Sequence, residues 1–362
     1  MKALDKSRKK PTLDQIAALA GVSKTTVSRV LNGSDLVKRD VAQKVETIIT
    51  EIGYVKRKTS LEIPMNLDKI TVFCDDSAFA PHTFYGTLLN QLKVEASKLS
   101  IVLEMSVLNP INNSHSLKDK LAKTQSLLIL GNPNEELLHL TQQEKVPAVI
   151  INGVDPKMQT PSISPDYEFG AFMATEYLLA KGHKKIKLVT ANDRHSTYQR
   201  TSGFLRALSM AGVEHDPKES VIDFVHYADR VKPLRGLQGK DLIRNSMGDF
   251  GAREIIPLLL EENRFDDCTA ILCLCDMVAL SIIEALSSIN KRVPEDISVV
   301  GFDNLSVSAI STPPLTTLTT DYNRIAQSAI YKLITAISSP NIVATRSSVM
   351  FEMIERESVA IR

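Results

Sequence analysis

No stretch of 18 apolar residues occurs in this 362-residue sequence, so no membrane-spanning helix is expected. The opening residues, MKALDKSRKKPTLDQ, contain no apolar core of a secretory signal, and the expectation is a cytoplasmic protein with no membrane partner. Cysteine is scarce: Cys74, Cys268, Cys273 and Cys275 make up the whole complement. None forms a C-x-x-C pair and no His stands at metal-ligand spacing beside them, so neither a metal site nor another cofactor is expected. Cys273 and Cys275 lie in TAILCLCDM, an apolar run that reads as a buried strand carrying reduced thiols. A nucleophile elbow and a P-loop are also lacking, and His183 and His195 have no accompanying catalytic pattern. The sequence therefore does not read as an enzyme.

What is present is an ordinary globular balance, 43% hydrophobic and 23% charged residues, in a chain long enough for two or three domains. The net charge is only +1, but residues 1–60 hold 13 Lys and Arg against 6 Asp and Glu, a net of +7, which leaves −6 for the remainder. A basic head on a mildly acidic body points to a polyanion as the head's partner; a solvated basic tail is the alternative.

The head contains TLDQIAALAGVSKTTVSRVLNG. The spacing predicts one helix over about Leu13–Ala20, with Ile16, Ala17, Leu19 and Ala20 on its apolar side. Gly21 permits a tight turn, and Ser23 is suited to cap a second helix. On that helix Val27, Val30 and Leu31 form a narrow buried stripe. A third helix, about Arg39 to Ile52, carries Val41, Val45, Ile48, Ile49 and Ile52 at helical spacing, with Gly53 as its αL cap. Together these describe a helix-turn-helix unit. Lys24, Thr25 and Arg29 occupy the side that meets base edges when such a helix lies in the major groove. Thr26, Ser28 and Asn32 are short hydrogen-bonding residues suited to phosphate oxygens. A solvent-facing helix in a plain bundle is the bland alternative.

The GVS…TVSRVLN core resembles the DNA-binding head of the LacI/GalR family of bacterial transcription regulators, as does the Gly53-Tyr54 pair. The resemblance implies base reading by Lys24, Thr25 and Arg29, and phosphate contacts by Ser23, Thr26, Ser28 and Asn32. Thr12 and Leu13, at the start of the first helix, complete the candidate DNA-binding set in the head. The sequence departs from the family at Lys38, Val41 and Ala42, where a hydroxyl and a cation are usual. It departs again in the hinge, YVKRKTSLEIPMN. There Ile63 matches the Leu that wedges into the minor groove, Pro64 shortens any hinge helix, and Lys56 and Arg57 add attraction to the DNA backbone.

From Lys69 onward strands and helices alternate in two series, through KITVFCDD, IVLEMSV, SLLILG and PAVIING, then KIKLVTAND, TAILCLC and ISVVGFDN. This pattern means parallel sheets covered by helices, in two α/β lobes with a ligand cleft at the strands' carboxyl ends. The family resemblance covers this body too, through VPEDISVVGFDN with PPLTTL, YLLAKGHKKIKLV and ERESVAIR. It implies the two-lobed fold of periplasmic sugar-binding proteins with three crossovers. The expected organisation is a head over 1–55, a hinge over 56–68 and a body over 69–362. Lobe 1 would comprise about 69–164 and 322–349, and lobe 2 about 165–318 and 350–362.

By the same resemblance, Arg200 matches an Arg that clamps ligand hydroxyls or a carboxylate, and Asp303 an Asp that accepts from the ligand. Asn152 stands where Asp is common, Cys275 replaces an Asn, and Thr320 replaces a polar contact. Arg194 and Ser196 share the loop before Arg200. Phe79, Phe84 and Tyr85 occupy the region of apolar ring-stacking groups, and Asp166 sits at the lobe boundary. A sugar-like effector suits the Arg-Asp pair, while two Arg also suit a carboxylate or phosphate; some of these residues would otherwise only cap helices or bridge lobes. The stretch FVHYADRVKPLRGLQGKDLIRNSMGDF is longer than the family usually has, and it reads as an exposed loop, either a tolerated insertion or a lid. The expected function is a repressor that binds a palindromic operator as a dimer. The sequence ends without a leucine-heptad tail, which favours a dimer over a tetramer. A sugar-binding module without a DNA role is the alternative.

Overall fold

The computed structural model describes residues 12–31, 37–52, 67–74, 79, 83–108, 114–232, 239–245, 248–340 and 342–362. The chain divides into two compact units, one reaching Glu62 and one beginning at Ile63.

The first unit is built on α1 (Leu13–Ala20), α2 (Lys24–Leu31) and α3 (Arg39–Glu51). Thr12 starts α1 with a capping box: its hydroxyl accepts from Gln15 N, and the Gln15 side chain accepts from Thr12 N. Two of the donors left open at a helix start are thereby satisfied. Gly21 ends α1 at φ 68°, a left-handed conformation that costs glycine least. Ser23 Oγ then accepts from Thr26 N at 3.1 Å and opens α2. Ile16, Ala17, Ala20, Val27, Val30 and Val45 close the core of the three helices. Leu19 does not join it; the side chain is 59% exposed. The i, i+3, i+4 stripe of a helix of only eight residues is already filled by Ile16, Ala17 and Ala20. Helix α3 ends at Glu51, with Ile52 at its C-cap; the cap expected at Gly53 lies outside the described residues.

The second unit opens with β1 (Lys69–Cys74), α4 (Phe84–Lys98), β2 (Val102–Val107), α5 (Ser114–Ala122), β3 (Leu127–Leu130), α6 (Glu135–Gln143), β4 (Ala148–Ile151) and β5 (Ser162–Pro165). A second series follows: α7 (Tyr167–Ala180), β6 (Ile186–Thr190), α8 (His195–Met210), α9 (Pro217–Ser220), β7 (Val221–Asp223), α10 (Lys240–Asn245), α11 (Ala252–Glu261), β8 (Ala270–Cys273), α12 (Asp276–Ser288), β9 (Ser298–Phe302), α13 (Ser306–Ile310) and β10 (Thr316–Thr320). The unit closes with α14 (Tyr322–Ser338), β11 (Arg346–Val349) and β12 (Phe351–Ile354).

Two six-stranded sheets result, ordered β11-β5-β4-β3-β1-β2 and β12-β10-β9-β8-β6-β7. Every pairing is parallel except β10 with β12. The chain passes between the sheets three times, after β5, after β10 and between β11 and β12. Every residue of the central strands β3, β4, β6, β8 and β9 is buried. That is why they are near-continuous runs of Ile, Leu and Val, the mark of strands covered on both faces.

Two expectations are corrected. Cys275 lies beyond β8 and caps α12 instead of extending the strand. The described parts of the stretch 224–250 are not an exposed loop; residues 233–238 and 246–247 lie outside the described residues. Phe224, Ala228, Val231, Leu242 and Ile243 are buried in the core that α11 and α12 share, and α10 lies within it. Its dense Gly and Pro residues are what a count of breakers reads as loop.

Candidate functional site

Each strand of a parallel sheet ends, at its carboxyl edge, where the chain must turn into a helix, and side chains from two facing sheets converge there. Asn152 follows β4 at φ 61°, and Asp303 follows β9 at φ 101°. Both non-glycine residues are in the left-handed half of backbone space, which is costly and concentrates at functional sites. Tie bonds hold them there: Asn152 N donates to Ile163 O, and Asp303 N to Leu318 O.

Arg200 comes from the second turn of α8. Gly203, one turn further on, lets α8 lie directly against α7; a Cβ there would stand 1.9 Å from Glu168 O. That close approach brings the Arg200 guanidinium to 4.0 Å from the Tyr167 ring centre and 4.8 Å from that of Phe302. Arg200 is 5% exposed. Its Nη1 donates to Ser196 O at 3.2 Å, and its buried Nε has no hydrogen-bond partner among the described residues. A buried guanidinium N–H left open is a donor awaiting an acceptor.

Asp303 is buried, and burial pushes its carboxyl up to about 6, with the Arg200 charge pulling the other way. Its backbone oxygen accepts from Tyr322 Oη at 3.1 Å, and the Tyr322 ring lies 5.4 Å from Phe84. Behind it, Asp276 accepts from Leu305 N at 2.8 Å, Ser308 Oγ at 2.6 Å and Thr317 Oγ1. Burial, and the nearby Asp303 charge, push Asp276 up to about 7 against those three donors. Asp276 thus ties β10, α12 and α13 together beneath Asp303.

From the other lobe, Asn152 Nδ2 donates to Tyr85 Oη at 2.8 Å, and Tyr167 Oη donates to Asn152 Oδ1 at 2.7 Å. Tyr85 also packs edge-on against Phe84. The structure therefore brings Phe84, Tyr85, Asn152, Arg200 and Asp303 into one connected group. Tyr167 and Tyr322, which join them, are absent from the sequence-based set; aromatic residues at helix starts carry no motif.

The remaining candidates stand at the edges of this group. Arg194 donates to Asp193 Oδ1 at 3.0 Å and lies over the Phe250 ring at 5.1 Å, and Arg244 pairs with the same Asp193. Phe250 is a further residue that the sequence does not single out, because it lies in a stretch whose Gly and Pro content reads as a loop. Ser196 is buried at the start of α8. Cys275 Sγ reaches Gly248 O at 3.5 Å, and burial raises its thiol. Asp166 caps α7 through Phe169 N and accepts from Ser348 Oγ, while Thr320 Oγ1 donates to Met350 O. Both are thus engaged at the passages between sheets. Phe79 is 45% exposed.

In the head, Thr25 and Arg29 are exposed on α2, and Lys24 and Ser28 belong to the same helix. The hydroxyls of Ser23 and Thr26 lie 2.9 Å apart at its start. Thr12 caps α1, and Leu13 is its first residue. Asn32, Lys56, Arg57 and Ile63 lie outside the described residues, as does most of the hinge. Among the described residues no group of His, Cys, Asp and Glu is placed to hold a metal ion, and no helix is long and apolar enough to cross a membrane.

A helix-turn-helix head joined to a two-lobed body with a polar cleft defines a class of ligand-responsive DNA-binding proteins. Residues 12–56 match the model of bacterial regulatory proteins of the lacI family. Residues 82–222 match that of periplasmic binding proteins and sugar binding domain of LacI family. Residues 175–359 match the periplasmic binding protein-like domain. The chain belongs to the LacI/GalR family of transcription regulators. It is 27% identical over 357 residues to the HTH-type transcriptional repressor PurR of Aliivibrio salmonicida, covering 96% of this chain and 98% of the relative. Catabolite control protein A of Priestia megaterium is 28% identical over 313 residues, 85% of this chain and 86% of its own. Among solved structures, the transcriptional regulator CelR-cellobiose complex superposes with a TM-score of 0.66 at 25% identity, covering 96% of this chain and all of that one. The lac repressor dimer bound to operator shares the fold, with a TM-score of 0.62 at 22% identity over 97% of this chain. These relatives are regulators of transcription, and the chain is a DNA-binding regulator with an effector-binding body.

Proposed function

We propose that this regulator acts in the cytoplasm as a repressor. It binds a palindromic operator as a dimer, and a neutral, sugar-like molecule seated between the lobes changes its hold on DNA. One observation carries the effector class: the cleft offers one buried cation, Arg200, with an open Nε, facing one buried acid, Asp303. Around them stand neutral hydroxyl, phenol and amide groups. A pair of opposite charges ringed by neutral donors and acceptors suits adjacent hydroxyls, each of which both gives and accepts a hydrogen bond. Arg194 and Arg244 share the carboxylate of Asp193 at the edge of the cleft, whereas the Arg200–Asp303 pair at its centre suits a neutral effector. CelR, seen with cellobiose, supplies a relative with a saccharide ligand.

Arg200, Asp303, Asn152 and Tyr85 are the residues proposed to hold the effector, with Phe84 and Phe250 flanking its apolar faces. Lys24, Thr25 and Arg29 are proposed to read bases, and Ser23, Thr26, Ser28 and Asn32 to hold phosphates. Thr12, Leu13, Lys56, Arg57 and Ile63 extend that surface. The head over 1–55, the hinge over 56–68 and the lobes divided near 165, 320 and 350 complete the proposed organisation.

The test is selection of genomic fragments of the source organism on the purified full chain, at two salt concentrations, followed by a screen of neutral mono- and disaccharides against the selected complex. A palindromic fragment retained at high salt, and shifted by a saccharide, is the expected result. Retention of random fragments only, lost as salt rises, overturns the operator reading. A complex indifferent to saccharides but released by an organic acid or phosphate ester overturns the effector class.

A further inference from the structure

A chain of side chains crosses from one lobe to the other at the cleft floor. Tyr85 on α4 accepts from Asn152, and Asn152 in turn accepts from Tyr167 on α7. Tyr85 and Asn152 belong with the first sheet, whereas Tyr167 is buried with Phe302 and Phe351 in the core of the second. The Tyr167 ring is also one of the two surfaces that hold the Arg200 guanidinium. A single side chain therefore touches a candidate effector group in each lobe, through its hydroxyl on one side and its face on the other.

We infer that Tyr167 is the positioning residue that ties occupancy of the cleft to the spacing of the lobes; this rests on the cleft being the effector site. The Tyr167 hydroxyl sits where burial strongly disfavours its ionised form, so it acts as a neutral donor and needs an acceptor. Asn152 Oδ1 supplies one only while the lobes keep their present separation. An amide oxygen can accept two hydrogen bonds, so a ligand hydroxyl either shares Asn152 Oδ1 with the phenol, which fixes the phenol in place, or displaces it, which leaves a buried phenol unpaired and is unfavourable. The phenol regains a partner only by moving its ring or by a change in lobe spacing. Either response is felt by Arg200, whose guanidinium donates to Ser196 O and lies over the two rings. Conversely, a ligand oxygen that draws Arg200 Nε off the ring frees Tyr167 to shift. The same hydroxyl and ring would thus transmit both halves of effector binding.

The test compares full-length Tyr167→Phe with Tyr177→Phe. Tyr177 lies on the same helix, and its hydroxyl donates to Glu355 at the surface, so that substitution removes a hydrogen bond without touching the cleft. Two quantities are read without any ligand: amide hydrogen exchange over residues 84–92 and 148–153, and the dissociation constant for a selected genomic fragment. Tyr167→Phe keeps the ring under Arg200 and removes the hydroxyl that links the lobes. Exchange in both segments is expected to quicken by about two- to tenfold, the range for loss of one neutral hydrogen bond, and fragment affinity to shift by a similar factor. Tyr177→Phe is expected to leave both unchanged. Unchanged exchange in Tyr167→Phe, exchange that changes while affinity stays fixed, or the same response in Tyr177→Phe overturns the inference. If the unmodified protein retains no specific fragment, the regulator reading fails instead, and exchange alone decides the tie between lobes.

Discussion

The Arg200 guanidinium carbon lies over two aromatic rings, 4.0 Å from the centre of Tyr167 and 4.8 Å from that of Phe302, and its Nε has no hydrogen-bond partner among the described residues. Stacking of this kind depends on a planar, delocalised cation, and an ammonium does not reproduce it. Arg200→Lys is therefore expected to weaken the saccharide that shifts the DNA complex by at least about tenfold, roughly 1.4 kcal/mol. Fragment affinity without saccharide should shift by no more than in Tyr167→Phe, since the hydrogen bond from Tyr167 to Asn152 remains. Titration of the DNA complex with saccharide checks both numbers, and equal saccharide affinity in the variant would remove Arg200 from the site.

How much of this was legible beforehand varies along the chain, for physical reasons. The head was legible because short amphipathic helices, a turn glycine and a capping serine leave separate marks, and Gly21 and Ser23 occupy those roles. The central strands were legible because strands buried on both faces must be apolar throughout. Strands β10, β11 and β12 were not, because TTLTT, RSSV and FEMI satisfy their backbone in a sheet without an apolar run. Cleft residues with a motif around them, such as Arg200 and Asp303, were nameable by resemblance. Tyr167 and Tyr322 were not, since their roles arise only when two lobes and two helix starts are brought together. The stretch 224–250 misled because its breakers are dense while its anchors, Phe224, Val231 and Leu242, are spaced irregularly between them.

Asp303 supports a prediction on stability. Its folded-state carboxyl stands at about 6 against an ordinary 3.8. A carboxyl raised in this way contributes stability that is fully present below the ordinary value and lost as pH rises through about 6. The cost of holding the buried charge at neutral pH is at most about 3 kcal/mol. Asp303→Asn removes that cost, and its melting temperature at pH 7.5 is expected to exceed that of the unmodified protein by a few degrees, at about 2–4 °C per kcal/mol. The gain should shrink towards zero near pH 4, while saccharide response is lost at every pH. A variant less stable at pH 7.5 would show that the carboxylate is stabilising where it stands.

Arg29 is exposed on α2, one turn beyond Thr25. If it donates to a guanine edge, Arg29→Ala costs about 1–3 kcal/mol in binding to the selected fragment and much less on random DNA. Competition binding at fixed salt separates the two cases. Equal weakening on both DNAs assigns Arg29 to a phosphate.

His195 supports the prediction on pH. It is the first residue of α8, and its Nε2 faces Arg346 on β11 of the other sheet. A guanidinium can only donate, so Nε2 must accept, and the imidazole is neutral with its proton on Nδ1. Burial first, then the Arg346 charge, hold the imidazole below its ordinary 6.5; the positive end of the α8 dipole acts in the same direction. A lowered histidine contributes stability that is present above the ordinary value and is lost as pH falls below 6.5 through the folded-state value. Because α8 and β11 lie in different lobes, this loss loosens one contact across the cleft. His195→Gln keeps a neutral acceptor for Arg346 and does not titrate. The melting temperature of the variant minus that of the unmodified protein should therefore stay flat from pH 7.5 to about 6.5 and rise from there towards pH 5.5. His183 and the buried carboxyls are common to both proteins and cancel in the difference. A difference that stays flat over that range would mean that Arg346 does not depend on the imidazole, and the contact would then have no part in the protein's response to acid.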